Sequence, residues 1–241
     1  MNKLKFSLII ISFLFVFQSC KKDKDIKPIH SFSEYETTNI EGFSVYYLRS
    51  HKTDQNVKKY LDQLNSMLPS LLKIVPENKK AFFQSVKIWI ASDLEEYEKV
   101  ANTKNASALY HSDSDEIISE KRKSVEINVK QEGFEYTKAD DNISVLIHEM
   151  SHAYHDQKVE NGFSNKEIKE AYNKAKTNNT YANIVDEYGE KAHPYLMTND
   201  MEFFAELSLK YLYKHNQQPF NKEELKNFDI DSYNLMEKYW R

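Results

Sequence analysis

Apolar and polar positions alternate over Tyr35–Ile40 and again over Phe43–Leu48, with Glu41-Gly42 between them, which predicts two strands joined as a hairpin. The period then changes. Val57, Tyr60, Leu61, Leu64 and Leu68 recur at helical spacing behind Thr53 as a candidate cap, and Pro69 is expected to kink or restart a helix that continues through Leu72. Residues 85–91 read as a strand, followed by a short helix to Ala101 capped by Ser92 or Asp93. Residues 102–120 read as a polar loop carrying Tyr110 and His111. Strict alternation over 124–129 predicts the last strand before a helix, expected at the sheet edge, where an extended peptide can add or where the chain itself covers the edge. Ile143, Leu146, Ile147, Met150, Ala153 and Tyr154 then mark one side of a helix over 142–156, with Thr137, Asp140 and Asp141 ahead of it as caps and favourable charge. Beyond Asp156 the chain reads as helical and polar to about Asn178, breaks at Asn178-Asn179 and resumes from Tyr181. A further helix over 199–214 opens on Asn199 or Asp200. The order predicts an α+β fold: a small mixed sheet, an edge strand beside the 142–156 helix, and a mainly helical C-terminal half.

Composition narrows the class. The chain has 241 residues, 29% of them charged, with a mean hydropathy of -0.72, the profile of a soluble globular protein whose Tyr and Phe supply the core. A net charge of -4, with no basic stripe interleaved with aromatics, argues against nucleic acid as a partner. The N-terminus differs from the rest. Lys3 and Lys5 precede an apolar run over 6–17, too short to span a membrane but the length of a signal-peptide core. Gln18-Ser19-Cys20 ends that run and resembles a bacterial lipoprotein signal, although Phe17 stands where such signals carry an aliphatic residue. The resemblance implies a signal peptide over 1–20 and lipidation of Cys20, so that the protein is exported and lipid-anchored to the bacterial cell envelope; residues 21–32 read as a charged, solvated tether and 33–241 as a single domain. An ordinary secretory signal with an incidental cysteine is the alternative. Cys20 is the only cysteine, so no disulfide forms within the chain.

The chemistry centres on His148-Glu149-Met150-Ser151-His152. Residues four apart on a helix share a face, so the two imidazoles can reach one metal ion, and the His-Glu-x-x-His spacing is half of a zinc site. Glu149 projects beside such an ion and can take a proton from a water whose pKa the metal has lowered. A catalytic site needs a third ligand. His155 lies on the same rigid helix, out of reach of an ion between His148 and His152, and reads as a surface residue or one that supports a ligand. The longer motif that adds a third His after a Gly is absent, because His155 and Lys158 occupy those positions. Glu202 and Glu206 share a face of the 199–214 helix, so that one carboxylate can bind the metal while the other orients a ligating His. On spacing alone, two solvated glutamates near a helix start fit equally well.

Tyr195-Leu-Met-Thr-Asn199-Asp-Met-Glu202-Phe-Phe-Ala-Glu206, downstream of the His-Glu-x-x-His helix, resembles the catalytic domain of anthrax toxin lethal factor and related secreted bacterial zinc peptidases. The resemblance is close over 144–210 and looser over 83–240, where Tyr110-His111, residues 219–225, Asp229, Tyr233 and Trp240 also match. The segment between the two motifs does not align. The resemblance implies a zincin-like metallopeptidase domain. It makes Glu202 the third zinc ligand beside His148 and His152, points Tyr195 at the metal, and leaves Glu206 to support a ligand. The substrate implied is a peptide or protein, hydrolysed by metal-activated water with Glu149 as general base. His111 and His193 read as structural or solvent-exposed residues.

Two other functions compete. A catalytically inactive lipoprotein of the same fold would act as a peptide- or partner-binding module, but it has no use for Glu149. Hydrolysis of a non-peptide amide at the same site is the third.

Overall fold

Glu41 and Gly42 both take positive φ, 53° and 87°, the two-residue turn whose twist matches a right-handed hairpin. They join β1 (Tyr35–Ile40) to β2 (Phe43–Leu48) in the expected antiparallel register, with Ile40 opposite Phe43. The computed structural model describes residues 28–101, 106–112 and 118–241. The expected signal segment, Cys20 and most of the expected tether lie outside the described residues.

The chain then forms α1 (Gln55–Ile74), α2 (Glu77–Ser85), β3 (Ile88–Ala91), α3 (Leu94–Ala101), β4 (Ala108–His111) and β5 (Ser124–Asn128). Asp54, not Thr53, caps α1, because its carboxylate accepts from the amides of Asn56 and Val57. Pro69 neither ends nor restarts α1, since Leu68 and Leu71 bury both adjoining turns in the core. Asp93 takes the cap position ahead of α3, its carboxylate accepting from Glu96 N–H.

The five strands form one mixed sheet in the order β1-β2-β3-β5-β4, parallel between β2, β3 and β5 and antiparallel at both ends. This corrects two expectations. The strand over 124–129 is internal, and the edge beside the helix is β4, inside the stretch read as a polar loop. Four residues are too few to show an alternation, and β4 is held by register instead, with Tyr110 opposite Val125 and His111 opposite Ser124. The polar residues of β5 do not face water either. Val125 and Ile127 enter the main core, while Glu126 and Asn128 are buried on the other face beneath α3 and the segment around Lys121. There Glu126 Oε1 lies 2.5 Å from Lys121 Nζ and Oε2 2.8 Å from His111 Nε2. Lys121 also lies 3.3 Å from Glu96, which accepts from the Tyr35 hydroxyl.

The rest is helical, comprising α4 (Ala139–Lys158), α5 (Lys166–Thr177), α6 (Asp200–Leu212), α7 (Lys222–Phe228) and α8 (Ile230–Trp240). The helical reading beyond Asp156 is interrupted where Asn161 and Gly162 adopt positive φ. A Cβ on Gly162 would meet the Asp156 carbonyl oxygen at 2.7 Å, so only glycine permits this turn. No helix resumes at Tyr181. Its ring is buried, its hydroxyl donates to Asp229 Oδ2 at 2.9 Å, and the following segment pairs Val185 with Lys191 and Asp186 with Gln217.

α6 packs along α4, and Trp240 of α8 closes the far side. Its ring meets Tyr154 at 4.5 Å and its Nε1 donates to Ser208 at 2.9 Å. Among the described residues no helix is long and apolar enough to cross a membrane.

Candidate metal centre

Two helices build the site. α4 buries Ile143, Leu146, Ile147, Met150 and Ala153 in the core, which leaves His148 and His152 on the stripe facing α6. α6 starts abruptly because the Asn199 side chain accepts from the amides of Met201 at 2.9 Å and Glu202 at 2.8 Å. That cap places Glu202 in the first turn and Glu206 one turn later on the same face.

The donor atoms converge. His148 Nε2 lies 3.1 Å from His152 Nε2 and 3.1 Å from Glu202 Oε2, and His152 Nε2 lies 3.2 Å from Glu202 Oε2. A tetrahedral ion with bonds of about 2.0–2.1 Å sets its ligand atoms about 3.3 Å apart, so the triangle has the size of one face of such a site. Among the described residues, these three form the one group of His, Cys, Asp or Glu side chains placed to hold a metal ion.

The hydrogen bonds around the triangle point the same way. Glu206 Oε1 lies 2.9 Å from His148 Nδ1, which places the proton of a neutral His148 on Nδ1 and leaves Nε2 with a lone pair aimed at Glu202. Lone pairs facing one another at that distance repel unless a cation lies between them. Without a metal the alternative cation is a proton. Burial disfavours a charged His148, but Glu202 and Glu206 outweigh it and raise the imidazole well above its ordinary value. Burial likewise raises Glu202, and His152 with His148 more than offset it, holding that carboxyl well below the usual range. The residues present therefore fit a divalent metal.

No family model, curated protein or solved structure matches this chain.

Glu149, buried beside the pair, has its carboxyl pushed up by burial against the opposing pull of His148 and His152. Tyr195 sits in a short turn ahead of α6 with its ring 6.2 Å from that of His148. Burial and the Glu202, Glu149 and Glu206 carboxylates raise its hydroxyl above the ordinary phenol value, so it remains a proton donor. The structure thus brings together His148, Glu149, His152, Tyr195, Glu202 and Glu206.

It keeps three other histidines away. His155 is not a surface residue; it is buried between Phe163 and Phe204, with ring centroids at 5.1 and 4.7 Å, and burial pushes it down to about 3, a neutral imidazole. His111 is buried against Glu126, and His193 is exposed.

Sequence reasoning missed His215. Its Nε2 lies 2.6 Å from the second oxygen of Glu206, although it stands beyond the end of α6 in no recognisable motif. Phe163 is the second omission, brought back over His152 and His155 by the turn at Gly162.

Proposed function

We propose that this chain is a zinc-dependent peptidase of the zincin type. The observation that carries the reading is the convergence of His148 Nε2, His152 Nε2 and Glu202 Oε2 to within 3.2 Å of one another, with the buried carboxylate of Glu149 beside them. His148, His152 and Glu202 would hold zinc, which when bound supplies a Lewis acid that brings a water pKa towards about 7 and polarises a carbonyl.

The remaining work falls to the chain. Glu149 takes one proton from the attacking water and delivers it to the departing amine nitrogen, so peptide and water become a carboxylic acid and an amine, and the acid's proton then passes to the amine to leave a carboxylate and an ammonium. A carboxyl pushed up by burial suits both halves of that transfer. Tyr195, held protonated, donates a hydrogen bond to the substrate oxygen as negative charge develops there. β4 lies at the end of the sheet beside α4, tied to it by the Tyr110 hydroxyl on Asp156 at 2.7 Å, and offers a backbone edge along which an extended peptide adds as a further strand. The N-terminal pattern ending at Cys20 supports export and anchoring to the cell envelope through a lipid, testable by radiolabelled palmitate incorporation in wild type against Cys20→Ala.

Metal analysis of the purified protein tests the centre. About one zinc per chain, weakened in Glu202→Ala, is expected; a folded protein that takes up no zinc when it is supplied would overturn the proposal. A peptide library then tests catalysis, and zinc without turnover on any member would favour the binding module.

A further inference from the structure

We propose that His215 is a positioning residue that sets the tautomer of His148, acting through Glu206. The inference rests on reading His148 as a metal ligand, and it follows from the direction of each hydrogen bond in a chain that starts at a backbone amide.

The amide of Gln217 lies 2.9 Å from His215 Nδ1. A backbone N–H only donates, so Nδ1 accepts and the ring proton resides on Nε2. Nε2–H then donates to Glu206 Oε2 at 2.6 Å. The opposite tautomer would put a lone pair against a carboxylate oxygen at that distance, with Nδ1–H turned to the Gln217 carbonyl at a longer 3.2 Å and against the Gln217 amide. Burial lowers His215 despite the pull of Glu206, consistent with a ring carrying a single proton. With one oxygen engaged by His215, Glu206 presents the other to His148 Nδ1–H at 2.9 Å, and His148 Nε2 is left as the lone pair that faces Glu202 and His152.

The anchor of the chain is held from several sides. Lys210 Nζ donates to the Gln217 carbonyl at 2.8 Å, the His215 amide donates to Phe220 at 2.8 Å, and Glu187 N–H donates to Asn216 at 2.9 Å. Gln217 also bridges to Asp186. Pinned in this way, its N–H cannot turn from the ring. A histidine placed only to fill space would need neither the Gln217 amide on one nitrogen nor a carboxylate on the other.

The test uses the full chain with 15N-labelled histidine, and compares wild type with His215→Leu and His215→Gln. In wild type, with and without zinc, the imidazole nitrogen shifts should report a proton on Nδ1 of His148 and on Nε2 of His215; the reverse tautomer in either ring overturns the proposal, whether or not the variants fold. His215→Leu should shift the His148 ring-nitrogen signals and lower zinc affinity about 10- to 100-fold in a chelator competition. His215→Gln, whose amide can donate to Glu206 and accept from Gln217, should recover most of that loss. Unchanged zinc affinity and His148 shifts in a folded His215→Leu would overturn the assignment. A wild-type protein that binds no zinc would sink the metal reading alone, because the protons on His148 Nδ1 and His215 Nε2 are read in the metal-free protein as well.

Discussion

His148 Nδ1 lies 2.9 Å from Glu206 Oε1, one helical turn beyond the carboxylate of Glu202 that faces the other nitrogen of the same ring. A single imidazole is thus gripped by two glutamates of α6, one fixing its proton and one sharing its lone-pair side. Replacing Glu206 with Gln removes the second acceptor that this geometry requires, since His148 and His215 both donate to it. Zinc affinity is expected to fall about 10- to 100-fold, as measured by competition with a chromogenic chelator. An affinity equal to wild type would show that Glu206 does not orient the ligand.

Glu149→Gln separates chemistry from binding. The amide is nearly isosteric and touches no ligand atom of the triangle, so zinc stoichiometry should match wild type. It cannot accept the water proton, and kcat on a peptide found by library screening should drop by about 10²- to 10⁴-fold. Turnover within a factor of a few of wild type would exclude Glu149 as the base.

Asn199 links the fold to the site, because the side chain that caps α6 also binds the amide of Glu202. Asn199→Ala should lower stability by about 1 kcal/mol in urea unfolding and weaken zinc binding at the same time, whereas Asn199→Asp, an equally good cap, should preserve both. A variant that loses stability but keeps full zinc affinity would show that Glu202 is held by its packing and not by the cap.

The buried charges on the opposite face of the sheet predict an acid-labile fold. Burial alone raises the Glu126 carboxyl, but Lys121 and His111 outweigh it and bring it down to about 2 from an ordinary 4.5. A depressed carboxylate stabilises the folded state above its unfolded value and loses that contribution as the pH falls through the folded one. Stability should therefore decline between about pH 4.5 and pH 2, followed by urea midpoints across that range. Lys121→Met, which leaves Glu126 and Glu96 buried without their ammonium partner, should cost about 3–5 kcal/mol at neutral pH. A cost below about 1 kcal/mol would mean that the cluster relaxes or hydrates.

The elements most legible in the sequence are those whose signal is local. The Glu41-Gly42 hairpin, the α4 stripe and the Asn199 cap each depend on residues within a few positions of one another, and each stands where the pattern predicts it. β4 was hidden because its strand character comes from pairing with β5, across the intervening chain. The burial of Glu126 on the other face of β5 has the same origin, because its partners Lys121 and His111 are brought to it by tertiary packing. The helix anticipated at Tyr181 is absent, and its ring is instead buried against Phe228 with its hydroxyl on Asp229, partners about fifty residues away that no local pattern shows.

The same division runs through the site. Sequence alone determined that His148 and His152 share one face of a helix with Glu149 between them, and that Glu202 and Glu206 share a face of another, because helical periodicity is a property of the backbone and needs no partner. Tertiary structure decided which carboxylate meets which ring nitrogen, that His155 is sealed between aromatic rings, and that His215 reaches Glu206 from beyond the end of the helix. Those relations depend on how α6 lies against α4 and on where the chain after Leu212 turns back. No spacing encodes them, because the distances are set between segments by packing and not along the chain.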